Sequence, residues 1–410
     1  MTQSQPEAQA HREQAHQEAV TFPFGRPSPF EPPERLTSLR EEGPITPMVY
    51  PDGATGWLVT GYSAVRSILA DPRFSSRREL LHVPMPFPLM QEMRQPADPG
   101  MFIRMDPPDH TRYRKPLTAQ FTVRRMKQLE PRIHEITEER LDAMEKAGPP
   151  QDLVKEFALP IPSLVICELL GVPYADRDEF QRSTAVLLNL ESSVEDIRAT
   201  IAGFGAFFAR LIEAKRADPA DDLLSGLIEN GELTDQELSN IGFLLLAAGH
   251  ETTANMLGLG TFALLQHPDQ LAALRADPSL IDNTVEELLR YLGIIHVGPL
   301  RAALEDVEVE GRLIKAGDPV TLSLVAANRD PARFADPEHL DITNPATGHL
   351  SFGHGLHQCL GQQLARVEMR TAFPMLFDRF PGLRLAVPAE EVPMREKMSI
   401  YGVRELPVRW

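Results

Sequence analysis

The sequence predicts a mainly helical α+β protein that folds as one domain, with small β-sheets near both ends of the chain. Residues 109–292 are overwhelmingly helical in pattern, strand-like segments precede and follow them, and no linker divides the 410 residues. Chains of this length commonly form two or three domains, so the lack of a linker is informative. We expect residues 21–410 to form a single domain after a polar, disordered tail at residues 1–20.

The N-terminal part of this domain begins with a predicted β-hairpin. Residues 47–50 and 57–60 are strand-like, and they flank residues 51–53, which read Pro-Asp-Gly. Residues 78–105 are rich in proline and methionine and have no clear period. Long segments of this kind in compact proteins are often functional, so we expect a long, mobile loop here.

A long helix is predicted in the middle of the chain. Thr234 and Glu237 have the spacing of a capping box, and the helical pattern then continues to His267. The helix would have about 32 residues and a length of roughly 48 Å, enough to cross the whole molecule.

The last third of the chain returns to strand character. Residues 307–325 alternate with turn signals at Gly311 and Gly317, and residues 398–408 are predicted to form a strand pair around Gly402. Together with the N-terminal hairpin, these segments predict small sheets at both ends of a helical chain.

Composition excludes several classes of function. The 41 lysines and arginines against 58 acidic residues give a formal charge of −17, which disfavours general nucleic-acid binding. Two cysteines, Cys167 and Cys359, are too few for a four-cysteine zinc site or a protein-bound iron–sulfur cluster. The first twenty residues lack the apolar core of a signal peptide, and the apolar residues 241–248 are far shorter than the roughly 20 residues of a membrane span. We expect a cytoplasmic monomer.

The stretch SFGHGLHQCLG at residues 351–361 places Cys359 in a loop directly before a predicted helix. Its three glycines remove side chains around the sulfur, which leaves room for a large flat group against the backbone. Residues 360–373 favour a helix that ends before Pro374, and the N–H groups at its N-terminus favour a thiolate over a thiol. Most isolated free cysteines are inert and buried, whereas a thiolate in a rigid loop is a suitable axial ligand for haem iron.

This loop resembles the haem-thiolate loop of cytochrome P450 monooxygenases. Phe352, Gly355, Cys359 and Gly361 fall on its FxxGxxxCxG pattern, and further segments extend the resemblance over nearly the whole chain. The resemblance implies the triangular, mainly helical P450 fold, with Cys359 as the iron ligand of haem b and dioxygen as co-substrate. Phe352, Gly353 and Gly361 are implied to lie against the haem.

The middle of the predicted long helix reads AAGHETTAN at residues 247–255, a polar interruption of an apolar sequence. Gly249 and Thr252 weaken or bend the helix, so we expect a local break that opens a groove. The segment resembles the P450 oxygen-activation motif, with Ala248, Gly249, Glu251 and Thr252 on its matching positions. The resemblance implies that Thr252 hydrogen-bonds dioxygen and that Glu251 relays protons from solvent.

Glu287 and Arg290 lie three residues apart on one predicted helix face and can form a charge-assisted pair. Exposed pairs of this kind contribute little. The distance of this pair before the cysteine loop matches the ExxR element of the P450 family, which braces the region behind the haem. The family usually adds an arginine shortly before the loop, where this chain has Asn344. We therefore expect an uncharged or weaker brace at Asn344, and this change alone does not imply loss of activity.

The two carboxylates of haem b, its propionates, need cationic partners when they are buried. His110 and Arg114 in DPPDHTRYRK are four residues apart on one predicted helix face and resemble the HxxxR element of the family. Arg301 and His357 match two further family positions for the same task. The resemblance therefore implies four propionate partners.

A local basic face is predicted on this acidic protein. By resemblance, the helices that carry it border the thiolate side of the haem, where an acidic ferredoxin docks. Electrons are thus implied to come from NAD(P)H through a ferredoxin reductase and a ferredoxin. The basic residues are Arg112, Lys115, Arg124, Arg125, Lys127, Arg366 and Arg370.

The residues that resemble the substrate-binding positions of the family are mostly apolar, which favours a hydrophobic substrate. The chain is similar to actinobacterial members that tailor secondary metabolites such as polyketides and macrolides, by hydroxylation or epoxidation. The candidate pocket residues are Met85, Phe87, Met90, Met101, Leu187, Leu188, Leu245, Ile294, Val297 and Ile400.

Two alternative functions remain open from the sequence. A peroxide-driven peroxygenase of the same fold would need no redox partner, but such enzymes tend to lack the acid–alcohol pair that Glu251 and Thr252 form here. A non-catalytic, haem-binding ligand sensor is also disfavoured by this intact pair. Turnover with peroxide alone, compared with turnover with a ferredoxin system, discriminates between them.

Overall fold

The computed structural model describes residues 20–22, 25–86, 94–173 and 177–410, and for residues 177–179 it describes the backbone only. Helices dominate this part of the chain, as the sequence predicts. The α-helices are α1 Glu34–Glu42, α2 Tyr62–Ala70, α3 Asp109–Gln120, α4 Val123–Ala147, α5 Pro160–Leu170, α6 Arg177–Leu188, α7 Val194–Ala217, α8 Leu223–Asn230, α9 Asp235–Gln266, α10 Pro268–Ala276, α11 Ile281–Leu292, α12 Leu324–Ala327 and α13 Gln362–Arg379.

Among the described residues, the strands form one five-stranded, one three-stranded and one two-stranded sheet. The strands are β1 Ile45–Val49, β2 Thr55–Val59, β3 Phe74–Ser75, β4 Gln151–Asp152, β5 Leu300–Ala303, β6 Val307–Val309, β7 Arg312–Ile314, β8 Pro319–Leu322, β9 Arg384–Leu385 and β10 Pro407–Arg409. One sheet has the order β1-β2-β8-β5-β3, another β4-β10-β9, and β6 pairs with β7. The pairing of β2 with β8 is parallel, and that of β5 with β8 is antiparallel, which joins the N-terminal hairpin to the strands after α11.

Helix α9 is the long helix that the sequence predicts. The side chain of Thr234 accepts a hydrogen bond from the Glu237 N–H, and Glu237 bonds back to the Thr234 N–H, so the capping box is confirmed. The helix continues for 32 residues to Gln266. Most of its second half is buried on every side, and the helix as a whole packs against α5, α7 and α13. This burial on all faces explains why its sequence is apolar around the whole helix.

Two elements differ from the prediction, and a third is confirmed. Helix α13 continues through Pro374 to Arg379, because the loss of one N–H donor is tolerated in a helix that packs against α4 and α9. Residues 398–403 do not pair across Gly402 as a strand pair, and β10 pairs with β4 and β9 instead. The predicted N-terminal hairpin is confirmed as β1 and β2.

The N-terminal tail and part of the predicted loop fall outside the described residues. The described part of that loop contains short 3₁₀ turns at Arg78–Leu80 and Phe102–Arg104. Among the residues that the structure describes, no helix combines the length and the apolar character that crossing a membrane requires.

Candidate active site

The cysteine loop folds back on itself ahead of α13. The Cys359 N–H donates a hydrogen bond of 2.8 Å to the Phe352 carbonyl oxygen. Gly353 and Gly355 have φ values of 68° and 72°, in the left-handed region that favours glycine. A Cβ atom at Gly355 would also collide with the Leu69 carbonyl oxygen at the end of α2. The glycine pattern therefore reflects backbone conformation and close packing against α2.

Cys359 is surrounded by protein and still accessible. The residue is exposed, yet burial raises the pKa of its thiol, against the N–H groups of Gly361 and Gln362 and the charge of Arg114, which lower it. Both observations hold if the sulfur lies deep in the molecule and faces an internal space. A Cβ atom at Gly361 would meet no protein atom within 4 Å, so this side of the loop is open. The sequence predicts that N–H groups at the start of the helix favour a thiolate. In the protein without haem, burial raises the pKa of the thiol by more than these N–H groups and Arg114 lower it, so the thiol is favoured.

Helix α9 presents an accessible face at the polar interruption. Ala248 is exposed and Thr252 is half-buried, whereas Glu251 and the residues after Thr252 are buried. The Thr252 hydroxyl donates a hydrogen bond of 2.8 Å to the Ala248 carbonyl. The predicted break in the helix is absent, because residues 247–255 remain α-helical. Gly249 instead allows α5 to approach, since a Cβ atom there would lie 2.8 Å from Ile166 Cδ1.

Glu251 is buried and held by neighbours, rather than facing solvent as its predicted relay role suggests. Its Oε2 atom lies 2.8 Å from Arg395 Nη1 and 3.3 Å from Asn255 Nδ2. Its Oε1 atom lies 3.8 Å from Nε2 of His250, beyond hydrogen-bonding distance. Arg395 lies far along the chain, and its role has no signal in the sequence motifs.

The structure brings the four predicted propionate partners into one cationic cluster, which also contains Arg104. The rings of His110 and His357 lie 4.4 Å apart between centroids. Burial lowers the pKa of His357 to about 3, with further lowering by Arg301, His110, Arg114 and Arg104. Burial, and then the charge of Arg104, lower the pKa of Arg301 to about 10. Burial is the largest cause of both shifts, and repulsion among the positive charges of the cluster adds to it.

The composition of this cluster fits an anionic group such as the haem propionates. Both ring nitrogens of buried His110 lack a hydrogen-bond partner among the described residues. Asp106 is a nearby carboxylate, but it already accepts hydrogen bonds from the Ser75 hydroxyl at 2.5 Å and the Ser76 N–H at 2.8 Å. The accessible sulfur, the open side of the loop, the free ring nitrogens of His110 and the three arginines of the cluster, which form no ion pair with a described residue, therefore fit haem b. Arg104 was missed because it lies in the predicted loop, outside any recognised motif.

The predicted pair of Glu287 and Arg290 lies in the interior of the protein. Glu287 and Arg290 are both buried and form a bidentate pair, with two N–O distances of 2.7 Å. The remaining donors of Arg290 bond to the carbonyls of Asn328, Pro337 and His339.

Asn344, the predicted uncharged member of the brace, does not contact Glu287 or Arg290. Asn344 is exposed, and its backbone carbonyl accepts a hydrogen bond from Asn283. Backbone carbonyls complete the brace instead, and a second buried arginine, Arg329, bonds to the Pro337 carbonyl and to that of Tyr291. Carbonyl oxygens thus take the place of a further charged side chain around Glu287 and Arg290.

Several candidate pocket residues from different parts of the chain lie close to residues 399–401. The Leu188 carbonyl accepts a hydrogen bond from the Ser399 N–H, and Ile295 forms a β-bridge with Ile400, which brings Leu188, Ile294 and Ile400 into one region. Met85 and Leu245 are buried, and Met101, Leu187 and Val297 are half-buried. Phe87 and Met90 lie outside the described residues.

The predicted basic face is partly neutralised. Arg112 pairs with Glu237, Arg366 with Glu286 and Arg370 with Asp282. Arg125 donates to the side chain of Gln120. Lys115, Arg124 and Lys127 are exposed and form no ion pair with another described residue. The free positive charge of this face therefore lies on α3 and the start of α4.

Comparison with known proteins agrees with this site. A family model described as Cytochrome P450 matches residues 190–407. Cytochrome P450 105C1 from a Streptomyces species is 52% identical over 392 residues, which cover 95% of this chain and 98% of the relative. The crystal structure of CYP105P1 in complex with filipin I is 44% identical, with a TM-score of 0.89 and coverage of 96% of this chain and 99% of that chain.

A third similar protein is the LnmA cytochrome P450 hydroxylase from the leinamycin biosynthetic pathway of Streptomyces atroolivaceus. Its structure is 42% identical, with a TM-score of 0.86 and coverage of 95% of this chain and 100% of that chain. The fold and the cysteine loop define a haem-thiolate monooxygenase, an enzyme that uses haem iron and dioxygen. The chain belongs to the cytochrome P450 family and is a bacterial P450 monooxygenase of the CYP105 type.

Proposed function

We propose that this P450 hydroxylates or epoxidises a hydrophobic secondary metabolite, such as a polyketide or macrolide. The proposal includes electron transfer from NAD(P)H through a ferredoxin reductase and a ferredoxin, to a monomer in the cytoplasm. The main support for this proposal is that Ala248 and Thr252 form an accessible face on the otherwise buried helix α9. Cys359 in the cysteine loop is accessible as well. The complex of CYP105P1 with filipin I and the pathway of LnmA support the substrate class.

Haem, when bound, supplies the oxidising chemistry, and the residues of this chain hold and surround it. Cys359 would ligate the iron, and the thiolate is stabilised by coordination to a metal that lowers its pKa. Arg104, His110, Arg114, Arg301 and His357 would hold the propionates, whose charge offsets the repulsion within this cationic cluster.

Thr252 and Glu251 have distinct tasks in this proposal. The Thr252 hydrogen is directed to the Ala248 carbonyl, so the lone pairs of Oγ1 remain available to accept a hydrogen bond on the accessible face. Glu251 follows Ala248 and Gly249 on the same helix, and its carboxylate would pass protons toward Oγ1 of Thr252. Glu251 and the residues after Thr252 are buried, which limits the access of water from this side of the helix and favours oxygen transfer to substrate over unproductive reduction.

The docking of an acidic electron carrier is supported by the free cations of α3 and α4, and by a cleft beside the cysteine loop. The cleft has a volume of about 430 Å³ and is lined by Arg66 and Arg333 together with Gly353, His354 and Gln358 of the loop. A carboxylate of a ferredoxin placed there would lie next to the residue before Cys359.

The test is a reconstituted assay with a ferredoxin, its reductase and NADPH, run on a panel of apolar natural products. Ligands are selected by a Soret shift to shorter wavelength, and oxygen incorporation is measured by mass spectrometry with ¹⁸O₂. One labelled oxygen atom per product molecule supports the proposal. Product with peroxide alone, and none with the ferredoxin system, would assign a peroxygenase, and binding without product under either condition would assign a ligand sensor.

A further inference from the structure

One short segment links the candidate substrate pocket to Glu251. We call residues 394–403 the C-terminal clamp. Its two ends are joined, because Met394 forms a β-bridge with Val403 and the Arg395 N–H donates a hydrogen bond of 2.9 Å to the Gly402 carbonyl. The clamp is therefore a closed loop whose ends are held together.

The joined ends of the clamp lie against α9 at the proton-relay residue. Arg395 reaches Oε2 of Glu251 at 2.8 Å, and the side chains of both residues are largely buried, with 14% and 4% exposed. Asn255 donates to the Glu251 carbonyl at 2.7 Å and to its Oε2 at 3.3 Å. A Cβ atom at Gly402 would overlap the side chain of Asn255, so the clamp backbone packs directly on this residue.

The tip of the clamp lies among candidate pocket residues. The Ser399 N–H donates to the Leu188 carbonyl at 2.9 Å, and the Tyr401 N–H donates to the Ile294 carbonyl at 2.8 Å. Ile400 lies between these two anchors and forms a bridge with Ile295. A substrate that contacts Ile400 would thus press on the same closed loop that carries Arg395.

The ion pair restricts what Glu251 can do. Arg395 and Asn255 both lie within hydrogen-bonding distance of Oε2, so two donors on one oxygen fix the rotamer of the Glu251 carboxylate. The other oxygen, Oε1, forms no hydrogen bond with His250, so the carboxylate is held through Oε2. While the pair is intact, Arg395 and Asn255 hold the carboxylate in one position, so a change in the pair changes the position from which Glu251 can pass on a proton.

We propose that the C-terminal clamp couples occupation of the substrate pocket to the proton relay, with Arg395 as the positioning residue of Glu251. Contact of a ligand with the clamp tip displaces its ends and loosens the Arg395–Glu251 pair. The relay is thereby available when the pocket is filled, and restrained when it is empty. This inference rests on the proposed role of Glu251 in proton delivery.

The first measurement is hydrogen–deuterium exchange of the haem-loaded protein with and without 4-phenylimidazole, an apolar iron ligand that fills the space above the haem. In the wild type, the ligand should change exchange both in residues 394–403 and in residues 250–256. In Arg395→Gln, the ligand-induced change in the exchange of residues 250–256 should be smaller by roughly fivefold or more. Fivefold is the lower end of the usual range of coupling between two sites. Arg395→Lys should restore most of it.

Lys397→Gln is the matched control, because Lys397 lies in the same clamp but pairs at 2.6 Å with exposed Glu191. This variant should behave as wild type. The inference is overturned if Arg395→Gln transmits the ligand effect to residues 250–256 as the wild type does, or if Lys397→Gln loses it equally. If Arg395→Gln does not give a haem-loaded protein, the test is made with Arg395→Lys, which keeps the positive charge. Failure of this variant to transmit the ligand effect to residues 250–256 would contradict a role for the charge.

A second measurement separates this inference from the proposed relay. With a substrate found by the natural-product panel, Arg395→Gln should change the product formed per NADPH and the solvent deuterium isotope effect, at an unchanged substrate dissociation constant. If Glu251→Gln keeps wild-type coupling, the relay itself is refuted. If Glu251→Gln loses coupling and Arg395→Gln behaves as wild type, only the inference about the clamp fails.

Discussion

Glu287 and Arg290 are joined through both carboxylate oxygens in the interior of the protein, with N–O distances of 2.7 Å at each. Every further donor of Arg290 reaches a backbone carbonyl, and Glu287 also accepts a hydrogen bond from the Asp341 N–H at 3.0 Å. The pair therefore fixes residues 328–341 against α11, and this segment leads into the cysteine loop. A buried pair is stabilising only when its remaining donors and acceptors are satisfied, which is the case here.

Breaking this pair should destabilise the protein strongly. Arg290→Met leaves the Glu287 carboxylate buried without its partner, and such a loss costs about 3–5 kcal/mol. Chemical denaturation measures the effect as a lower midpoint, and the haem content of the purified protein should fall with it. The matched control is Arg35→Met, which removes the exposed Arg35–Glu42 pair and should cost less than about 1 kcal/mol. Equal losses in the two variants would contradict the brace.

Gly355 and Gly361 should respond differently to the same added methyl group. Gly355→Ala places a Cβ atom at a φ of 72° and against the Leu69 carbonyl, so the loop itself should be destabilised, with or without haem. Gly361→Ala is at a φ of −83° with no protein atom within 4 Å, so the haem-free protein should keep its stability.

The haem affinity of Gly361→Ala should nevertheless fall, because its Cβ atom would occupy the space that we assign to the cofactor. Thermal unfolding of the haem-free variants and haem titration of each give the two readouts. If Gly361→Ala binds haem as tightly as wild type, the open side of the loop is not the haem surface. If Gly355→Ala unfolds at the wild-type temperature, the left-handed conformation is not required.

Sequence reasoning reached the parts of the site that depend on local pattern. The capping box at Thr234 and Glu237 fixed the start of α9, and the glycines around Cys359 mark a backbone that only glycine accommodates. Helix α9 was predicted to its last turn, because capping and apolar periodicity are both local properties.

Contacts between distant parts of the chain were not predictable in this way. Arg395 meets Glu251 across 144 positions, and Arg104 joins the cationic cluster from a loop without a motif. The contacts that complete the brace without Asn344 were not predictable for the same reason, since backbone carbonyls carry no residue-specific signal and can replace a side chain. Pro374 shows that tertiary packing can extend a helix past a residue that usually ends one.

The stability of the protein should depend on pH through Glu368. This carboxyl on α13 is fully buried, and burial raises its pKa from 4.5 to about 8, despite a hydrogen bond with Thr253. The folded state therefore keeps this proton where the unfolded state has lost it. The stabilisation is complete below pH about 4.5, declines as the pH rises, and is lost above pH about 8.

Glu368→Gln removes this dependence while it keeps the shape of the side chain. The unfolding temperature of the variant should exceed that of wild type at pH 8 by more than it does at pH 5. Asp378→Asn on the exposed side of the same helix is the control and should leave the pH profile unchanged. A constant difference between Glu368→Gln and wild type from pH 5 to 8 would show that the carboxyl is already ionised in the folded protein.

Loss of the Thr252 hydroxyl should separate consumption of NADPH from formation of product. In Thr252→Ala the accessible face of α9 has no hydroxyl oxygen to accept and pass a proton, while the buried neighbours that hold the helix are unchanged. We expect the product formed per NADPH to fall by about tenfold or more, since positioned proton transfer contributes roughly 10²–10⁴-fold in rate. Thr252→Ser keeps the hydroxyl and should retain most of the coupling, whereas Thr253→Ala removes a hydroxyl that bonds to Glu368 and should leave coupling near the wild-type value. Product per NADPH, measured with hydrogen peroxide release, checks all three variants. If Thr252→Ala coupled as efficiently as Thr252→Ser, proton delivery would have to reach the site by another route.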